Sequence, residues 1–338
     1  MTRVLAADSG GLAEAARLLR AGGLVAFPTE TVYGLGANAL DARAVEGIFA
    51  AKCRPADDPL IVHLASAAAL SRVAVGNALV EQLAAQFWPG PLTLVLPRQP
   101  SVPVAVTAGM GTVGVRVPAH PVASHLLLAA DVPVAAPSAN LFGRPSPTRA
   151  EHVLEDLAGR VDLILDGGPT NVGVESTIVD LSGARPRLLR PGGLPAEQIE
   201  SVLGVALEAP PTRPTPGPQL SPGLLSTHYA PRTPLVLILG EPQAARERLR
   251  RELERARSAG VLLLDEDADL LPEHVVAERV GSWHTPQATA ARLFAALRNL
   301  DRRGLERLYA RNLADSSAGL GRALADRLRR AAAQVIEA

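Results

Sequence analysis

Between Pro210 and Pro222, six of thirteen residues are proline, in the stretch PPTRPTPGPQLSP. Proline fixes φ and has no amide hydrogen, so this segment fits neither a helix interior nor a central strand and is predicted to run as extended polyproline. It divides the 338-residue chain into two parts, each long enough to bury its own core. We set the boundaries at 1–206 for a first domain, 207–231 for a linker and 232–338 for a second, smaller domain. The linker ends in Thr227-His228-Tyr229-Ala230-Pro231, which reads as too polar and too rigid for core. Its stiffness and its terminal His-Tyr pair suggest a strap reaching back over the first domain's site.

The first part alternates short apolar runs with helical periodicity. Strands are expected at 24–27, 60–64, 92–96, 113–117, 132–136, 163–165 and 177–181, and helices at 11–20, near 41–51, 66–86, 121–130 and 149–158. The fold class is α/β, with a mixed sheet in this domain. The second part reads as strands at 235–239, 261–264, 275–280 and 305–310 with helices near 241–258, 286–299 and 319–336. Strands alternating with helices of that length predict right-handed crossovers and a small, Rossmann-like parallel sheet.

Charge narrows the functional classes. Thirty-four Lys plus Arg face 34 Asp plus Glu, and aromatic residues are 3%. Zero net charge gives little pull on a phosphate polymer, and few rings remain on which bases could stack, which argues against a nucleic-acid coat protein. Cys53 is the sole cysteine, so neither a disulfide framework nor a C-x-x-C site is available. Met1 to Gly11 lacks an apolar leader core and no apolar run approaches the roughly 18 residues of a span, so a cytoplasmic location is expected. Of the 34 cations, 33 are Arg and one, Lys52, is Lys. Arg replaces Lys freely on a surface but not where a compact ammonium is needed.

Several segments carry possible chemistry. Gly109-Met-Gly-Thr-Val-Gly114 satisfies G-x-G-x-x-G, but the residues after it read as a strand rather than a helix, which contradicts a dinucleotide site. No P-loop occurs. Pro28-Thr-Glu-Thr-Val-Tyr-Gly-Leu-Gly36 follows a buried strand with three polar side chains and two glycines, either a tight turn or a ligand-facing strand end. Lys52-Cys-Arg54 closes a helix before a Pro-bounded loop; its cations either satisfy the helix C-terminus or converge on phosphate. Val132 to Asn140 runs a buried strand into Pro-Ser-Ala-Asn, whose Ser138 and Asn140 are turn formers that can also meet a phosphate or carboxylate. No G-x-S-x-G surrounds Ser138. His120 and His125 have poor ligand spacing and read as structural or solvent-facing. Val174 to Asp180 and Leu188 to Gly193 each add a weak signal, as does Ser221-Pro-Gly.

Taken in order, PTETVYGLG, KCRP with PLIVH, GVRVP, PSAN, VESTIVD, LLRPGG, SPG and HYAP resemble the YrdC-like threonylcarbamoyl-AMP synthases in their long, two-domain form, across nearly the whole chain. The resemblance implies an N-terminal YrdC-like domain with a twisted mixed sheet and a concave active site. It implies synthesis of L-threonylcarbamoyl-AMP from L-threonine, bicarbonate and ATP, with release of pyrophosphate and with Mg²⁺ accompanying ATP. A downstream tRNA transferase then modifies the adenosine beside the anticodon, so contact of this chain with tRNA is indirect or weak. By the same resemblance Lys52, Arg54, Ser138 and Asn140 are implied at the nucleotide phosphates. Thr31, His63, Arg116 and Ser176 are implied at threonine, and Asp58, Thr112, Ser146, Arg190 and Tyr229 join Arg54 and Ser138 at ATP. No metal-ligating side chain is implied. Asp58 departs from the family's usual Asn, an acid that would repel a triphosphate unless it faces Mg²⁺. Two other classes stand beside this one, a module for double-stranded RNA and a carbamoyl transferase using carbamoyl phosphate.

Overall fold

The computed structural model describes residues 1–209 and 228–338. The polyproline stretch and most of the expected strap lie outside the described residues. The chain forms two compact units. The first comprises Met1–Phe142, Pro147–Asn171 and the described part of Glu175–Leu225; the second takes Gly143–Ser146, Val172–Val174 and the described part of Ser226–Ala338.

In the first unit the strands are β1 (Arg3–Ala6), β2 (Val25–Pro28), β3 (Tyr33–Asn38), β4 (Ile61–His63), β5 (Leu92–Pro97), β6 (Thr112–Arg116), β7 (Val134–Ala135), β8 (Leu163–Asp166), β9 (Thr177–Asp180) and β10 (Arg187–Arg190). They form one mixed sheet in the order β1-β8-β2-β3-β7-β4-β6-β5-β9-β10. The helices are α1 (Ser9–Arg20), α2 (Ala42–Lys52), α3 (Ala78–Phe87), α4 (Pro121–Ala130), α5 (Ala150–Leu157) and α6 (Ala196–Leu203). Alternation along β2 divides the core: Val25 and Phe27 join Ala15, Leu19, Leu126 and Leu127 on one side of the sheet, while Ala26 joins Leu35, Ile48 and Val62 on the other. The helices start where side chains replace missing backbone acceptors. Asp8 accepts from the Gly11 amide, Asp41 from those of Arg43 and Ala44, and Asn77 from that of Val80.

Several expectations are corrected. The helix expected over 66–86 is a 3-10 turn, Ala67–Arg72, followed by α3 from Ala78. Asn77 supplies a fresh N-cap that restarts the chain there. Tyr33–Asn38, where no strand is expected from the sequence, is β3, antiparallel to β2. Gly36 fits it because a Cβ there would stand 2.7 Å from the Phe27 ring. Thr112–Arg116 is a strand, as the contradiction of the dinucleotide fingerprint requires.

The second unit holds β11 (Leu235–Leu239), α7 (Pro242–Arg255), β12 (Ala259–Leu264), β13 (Val276–Gly281), α8 (Pro286–Asp301), β14 (Arg307–Arg311), α9 (Gly319–Ala331) and β15 (Gln334–Glu337). Its sheet runs β13-β12-β14-β11-β15 with every recorded pairing parallel. The final helix, expected to reach 336, stops at Ala331, and the remaining residues pair as β15 beside β11. The Ala-rich run past 331 is helix-compatible by propensity, but pairing at the sheet edge wins. No helix among the described residues is long and apolar enough to cross a membrane.

Candidate active site

The turn between β2 and β3 is folded by its own hydroxyls. Thr29 Oγ1 donates to the Val32 carbonyl at 2.6 Å and accepts from the Thr31 and Val32 amides, both at 3.3 Å. That turn directs Glu30 and Thr31 to Arg116 at the end of β6. The guanidinium meets Glu30 at 2.6 Å, donates to Thr31 Oγ1 at 3.0 Å and reaches the Gly90 carbonyl at 3.2 Å. β4 and β6 are parallel with His63 opposite Arg116, so the two side chains leave the sheet on one face. Three of the four residues expected at threonine are thereby brought together.

His63 is buried, with Nδ1 3.3 Å from the Ile61 carbonyl and its ring edge-on to Phe27. Burial, aided by the charge of Arg116, lowers its pKa to about 3, so the imidazole is neutral at pH 7. The unfolded chain therefore binds more protons than the folded one between about pH 6.5 and pH 3. His63 is expected to make stability fall with acidification through that window, by at most about 1.4 kcal/mol per pH unit. Urea unfolding at pH 7 and pH 4.5 checks it: His63→Gln should flatten the difference, and an unchanged slope would count against a buried neutral histidine.

The fourth expected residue, Ser176, lies at the start of β9. Its Oγ is 2.8 Å from Thr93 Oγ1, and Arg190 Nη2 donates to its carbonyl at 3.0 Å and its hydroxyl at 3.2 Å. The turn after Arg190 needs glycine, because a Cβ on Gly192 would stand 2.4 Å from the Glu175 carbonyl. Both clusters border one short segment: Arg116 bonds to the Gly90 carbonyl and the Thr177 amide to that of Pro91.

A third cluster surrounds the Pro-Ser-Ala-Asn turn. Lys52 ends α2, is 1% exposed, and directs Nζ at the Ser138 carbonyl at 2.5 Å and at the Asn140 carbonyl. Its own carbonyl accepts from Phe142 at 2.9 Å. Arg54 pairs with the buried Asp58 at 2.9 Å and donates to the Asp58 and Pro59 carbonyls. Asn140 Nδ2 bonds to Leu141 O, and Ser138 is half-buried beside Gly34. Lys52 thus clamps the turn that carries Ser138, and Arg54 clamps the loop at Asp58 and Pro59. Burial pushes the Asp58 carboxyl up in spite of Arg54 and Lys52. Its engagement with Arg54 accounts for an acid at this position.

Thr112 is half-buried at the start of β6 and lines a small cleft with Thr93 and Ile178. Ser146 and Tyr229 belong to the second unit and are buried there. Tyr229 stacks at 5.5 Å on Phe294 with Arg327 over its ring at 5.1 Å, and His228 is 5% exposed. The expectation that this pair is too polar for core is corrected: aromatic and cation–π contacts bury both rings. His120 caps α4 through Nδ1, and His125 is exposed, as structural or solvent-facing residues. Glu30 and Thr93 carry no assigned role in the sequence, because their partners Arg116 and Ser176 are distant in the chain. The Thr-Glu-Thr run was the available signal for Glu30.

The family described as "Telomere recombination" matches residues 17–192, and the one described as "Threonylcarbamoyl-AMP synthase, C-terminal domain" matches 194–333. A threonylcarbamoyl-AMP synthase of Pyrococcus abyssi is 45% identical, covering 94% of this chain and 92% of its own length. The chain belongs to the threonylcarbamoyl-AMP synthase family. The enzyme of that name from Bacillus subtilis is 43% identical over 98% of this chain and 96% of its own. A solved structure of P. abyssi Sua5 complexed with L-threonine superposes with a TM-score of 0.89 at 41% identity, covering 100% of this chain and 99% of that one. A P. abyssi Sua5 variant, with a histidine and the adjacent tyrosine changed to alanine, gives a TM-score of 0.91 at 40% identity, covering 100% and 98%.

Proposed function

We propose that this chain makes L-threonylcarbamoyl-AMP from L-threonine, bicarbonate and ATP and releases pyrophosphate. The observation that carries the reading is the Arg116 centre, where one guanidinium, one carboxylate, one hydroxyl and a neutral imidazole converge in a family whose P. abyssi member was solved with L-threonine. Arg116 grips the threonine carboxylate through its fork, and Glu30 beside it suits the α-ammonium. The threonine amine, once its ammonium proton is lost, condenses with bicarbonate to a carbamate with loss of water, and a carbamate oxygen attacks the α-phosphorus of ATP while pyrophosphate leaves. The protein contributes position and neutralised charge, not a covalent intermediate. Ser138 and Asn140, on the turn clamped by Lys52, face the phosphates in this reading. Arg190 and Thr112 serve the ATP side, with Arg54 and Asp58 holding the adjoining loop.

Mg²⁺ enters with ATP in this account. Hard divalent cations of this kind are held largely by phosphate and water. The two acids of the site, Glu30 and Asp58, are both engaged by arginines, which fits a metal carried by the substrate rather than by a protein cage. A downstream tRNA threonylcarbamoyl transferase consumes the product, and zero net charge fits a chain that leaves tRNA contact to that partner.

Pyrophosphate release assayed with each co-substrate omitted in turn tests the proposal. Release should need threonine and bicarbonate together. Serine, one methyl smaller, should be used about 10- to 200-fold less well, the range for one methyl in a pocket. Equal release without bicarbonate would refute the reading, and release supported by carbamoyl phosphate instead would favour carbamoyl transfer.

A further inference from the structure

In the second unit, a cleft of about 330 Å³ opens where α7 ends and β12 and β14 begin, a volume within the range of small-ligand sites. The register sets Ala259 against Arg307 and Val261 against Tyr309, and the Glu306 amide donates to the Ser258 carbonyl at 3.1 Å. Residues 257–259 and 306–309 therefore lie side by side. Alternation puts Arg307 and Tyr309 on one face of β14, the arginine at the rim and the tyrosine one step deeper. Tyr309 is only 4% exposed and packs among Leu249, Leu253 and Val261, yet its hydroxyl has no hydrogen bond from any described residue. That oxygen is not sealed from solvent and is available to a ligand in the cleft.

The cations of the cleft are equally unengaged. Along α7, Arg248, Arg250 and Arg251 are all paired with glutamates. Arg255, Arg257 and Arg307 are exposed, line the cleft and have no ion pair with a described residue. The α7 dipole accounts for Arg255 in its last turn; it accounts for neither Arg307, which comes from a strand, nor the tyrosine hydroxyl. Of the two acids lining the cleft, Glu252 is held by Arg248 at 2.9 Å.

We propose that this cleft binds a small phosphate-bearing anion, an oligophosphate or a nucleoside phosphate, with Arg257 and Arg307 at the rim and the Tyr309 hydroxyl donating from the floor. Guanidinium forks and a phenol are the donors such oxygens take. A nucleic-acid backbone fits less well, because Arg248, Arg250 and Arg251 are already paired with glutamates and offer no free charge to a polymer tracking along α7.

Equilibrium binding of inorganic pyrophosphate and of ADP to the full chain, at fixed ionic strength, tests the proposal. The parent should bind pyrophosphate at two sites, one catalytic and one here. Arg307→Ala should retain one, and Tyr309→Phe should weaken the second about tenfold, as expected for losing one bond to a charged group. Threonine-dependent turnover should stay within twofold in both variants, with unfolding midpoints preserved. Similar affinities for both probes would assign recognition to the phosphates alone, and tighter ADP binding would add the nucleoside; either supports the site. A single pyrophosphate site in the parent, or binding unchanged by both substitutions, would overturn it.

Discussion

Lys52→Arg is expected to lose about 100-fold in adenylate synthesis while still folding and binding threonine. Lys52 is 1% exposed and its ammonium sits against the carbonyls of Ser138 and Asn140, which belong to one tight turn. A point charge with freely rotating donors satisfies two carbonyls in so small a space. A planar guanidinium is wider, its donors are fixed in a fork, and it would push the turn aside. Displacing the Ser138 turn by about 1 Å is enough for a loss near 100-fold. Composition points the same way, since 33 of 34 cations in this chain are already arginine and the exception is this buried one. Overpacking should also cost about 1–3 kcal/mol of stability. Turnover numbers of Lys52→Arg and Lys52→Ala decide the matter: both should be low, and an arginine variant within a few-fold of the parent would mean that the turn does not depend on a compact ammonium.

Arg116→Lys should raise the KM for threonine by about 10- to 100-fold, the equivalent of the roughly 1.5–3 kcal/mol carried by a hydrogen bond to a charged group. Lysine keeps the charge but cannot hold Glu30, Thr31 and Gly90 while gripping a carboxylate with a fork. The KM for ATP should move much less, because Ser138, Asn140 and Arg190 lie on other elements and Thr112 stands at the opposite end of β6. Steady-state kinetics with each substrate varied separately reads the split. Equal rises in both KM values would place Arg116 in a general structural role.

The parts of this account legible in the sequence are those written locally. Apolar runs next to proline marked β2, β4, β5 and β6, an apolar run between serines marked β9, and the solitary lysine marked the end of α2. What was hidden depends on partners far apart in the chain. β3 carries no strand signal because Gly34 and Gly36 weaken its pattern, and close packing against Phe27 and Val134 explains Gly36. The pairing of Glu30 with Arg116 spans 86 positions and depends on the sheet order β2-β3-β7-β4-β6, which no local pattern encodes. Lys52 was legible as special, but the Ser138 and Asn140 carbonyls it donates to leave no mark in a sequence. His228 and Tyr229 looked solvent-bound beside a proline-rich segment; Phe294 and Arg327, which bury Tyr229, come from helices much later in the chain.

The central claim is that bicarbonate carbon ends up between threonine nitrogen and AMP phosphate. Mass spectrometry of the product made from ¹³C-bicarbonate, L-threonine and ATP tests this most directly. The account predicts a threonine–AMP adduct that carries one carboxyl unit from bicarbonate and is heavier by a single mass unit when the label is used. An unlabelled threonyl-AMP, or AMP with no adduct at any time point, would contradict it.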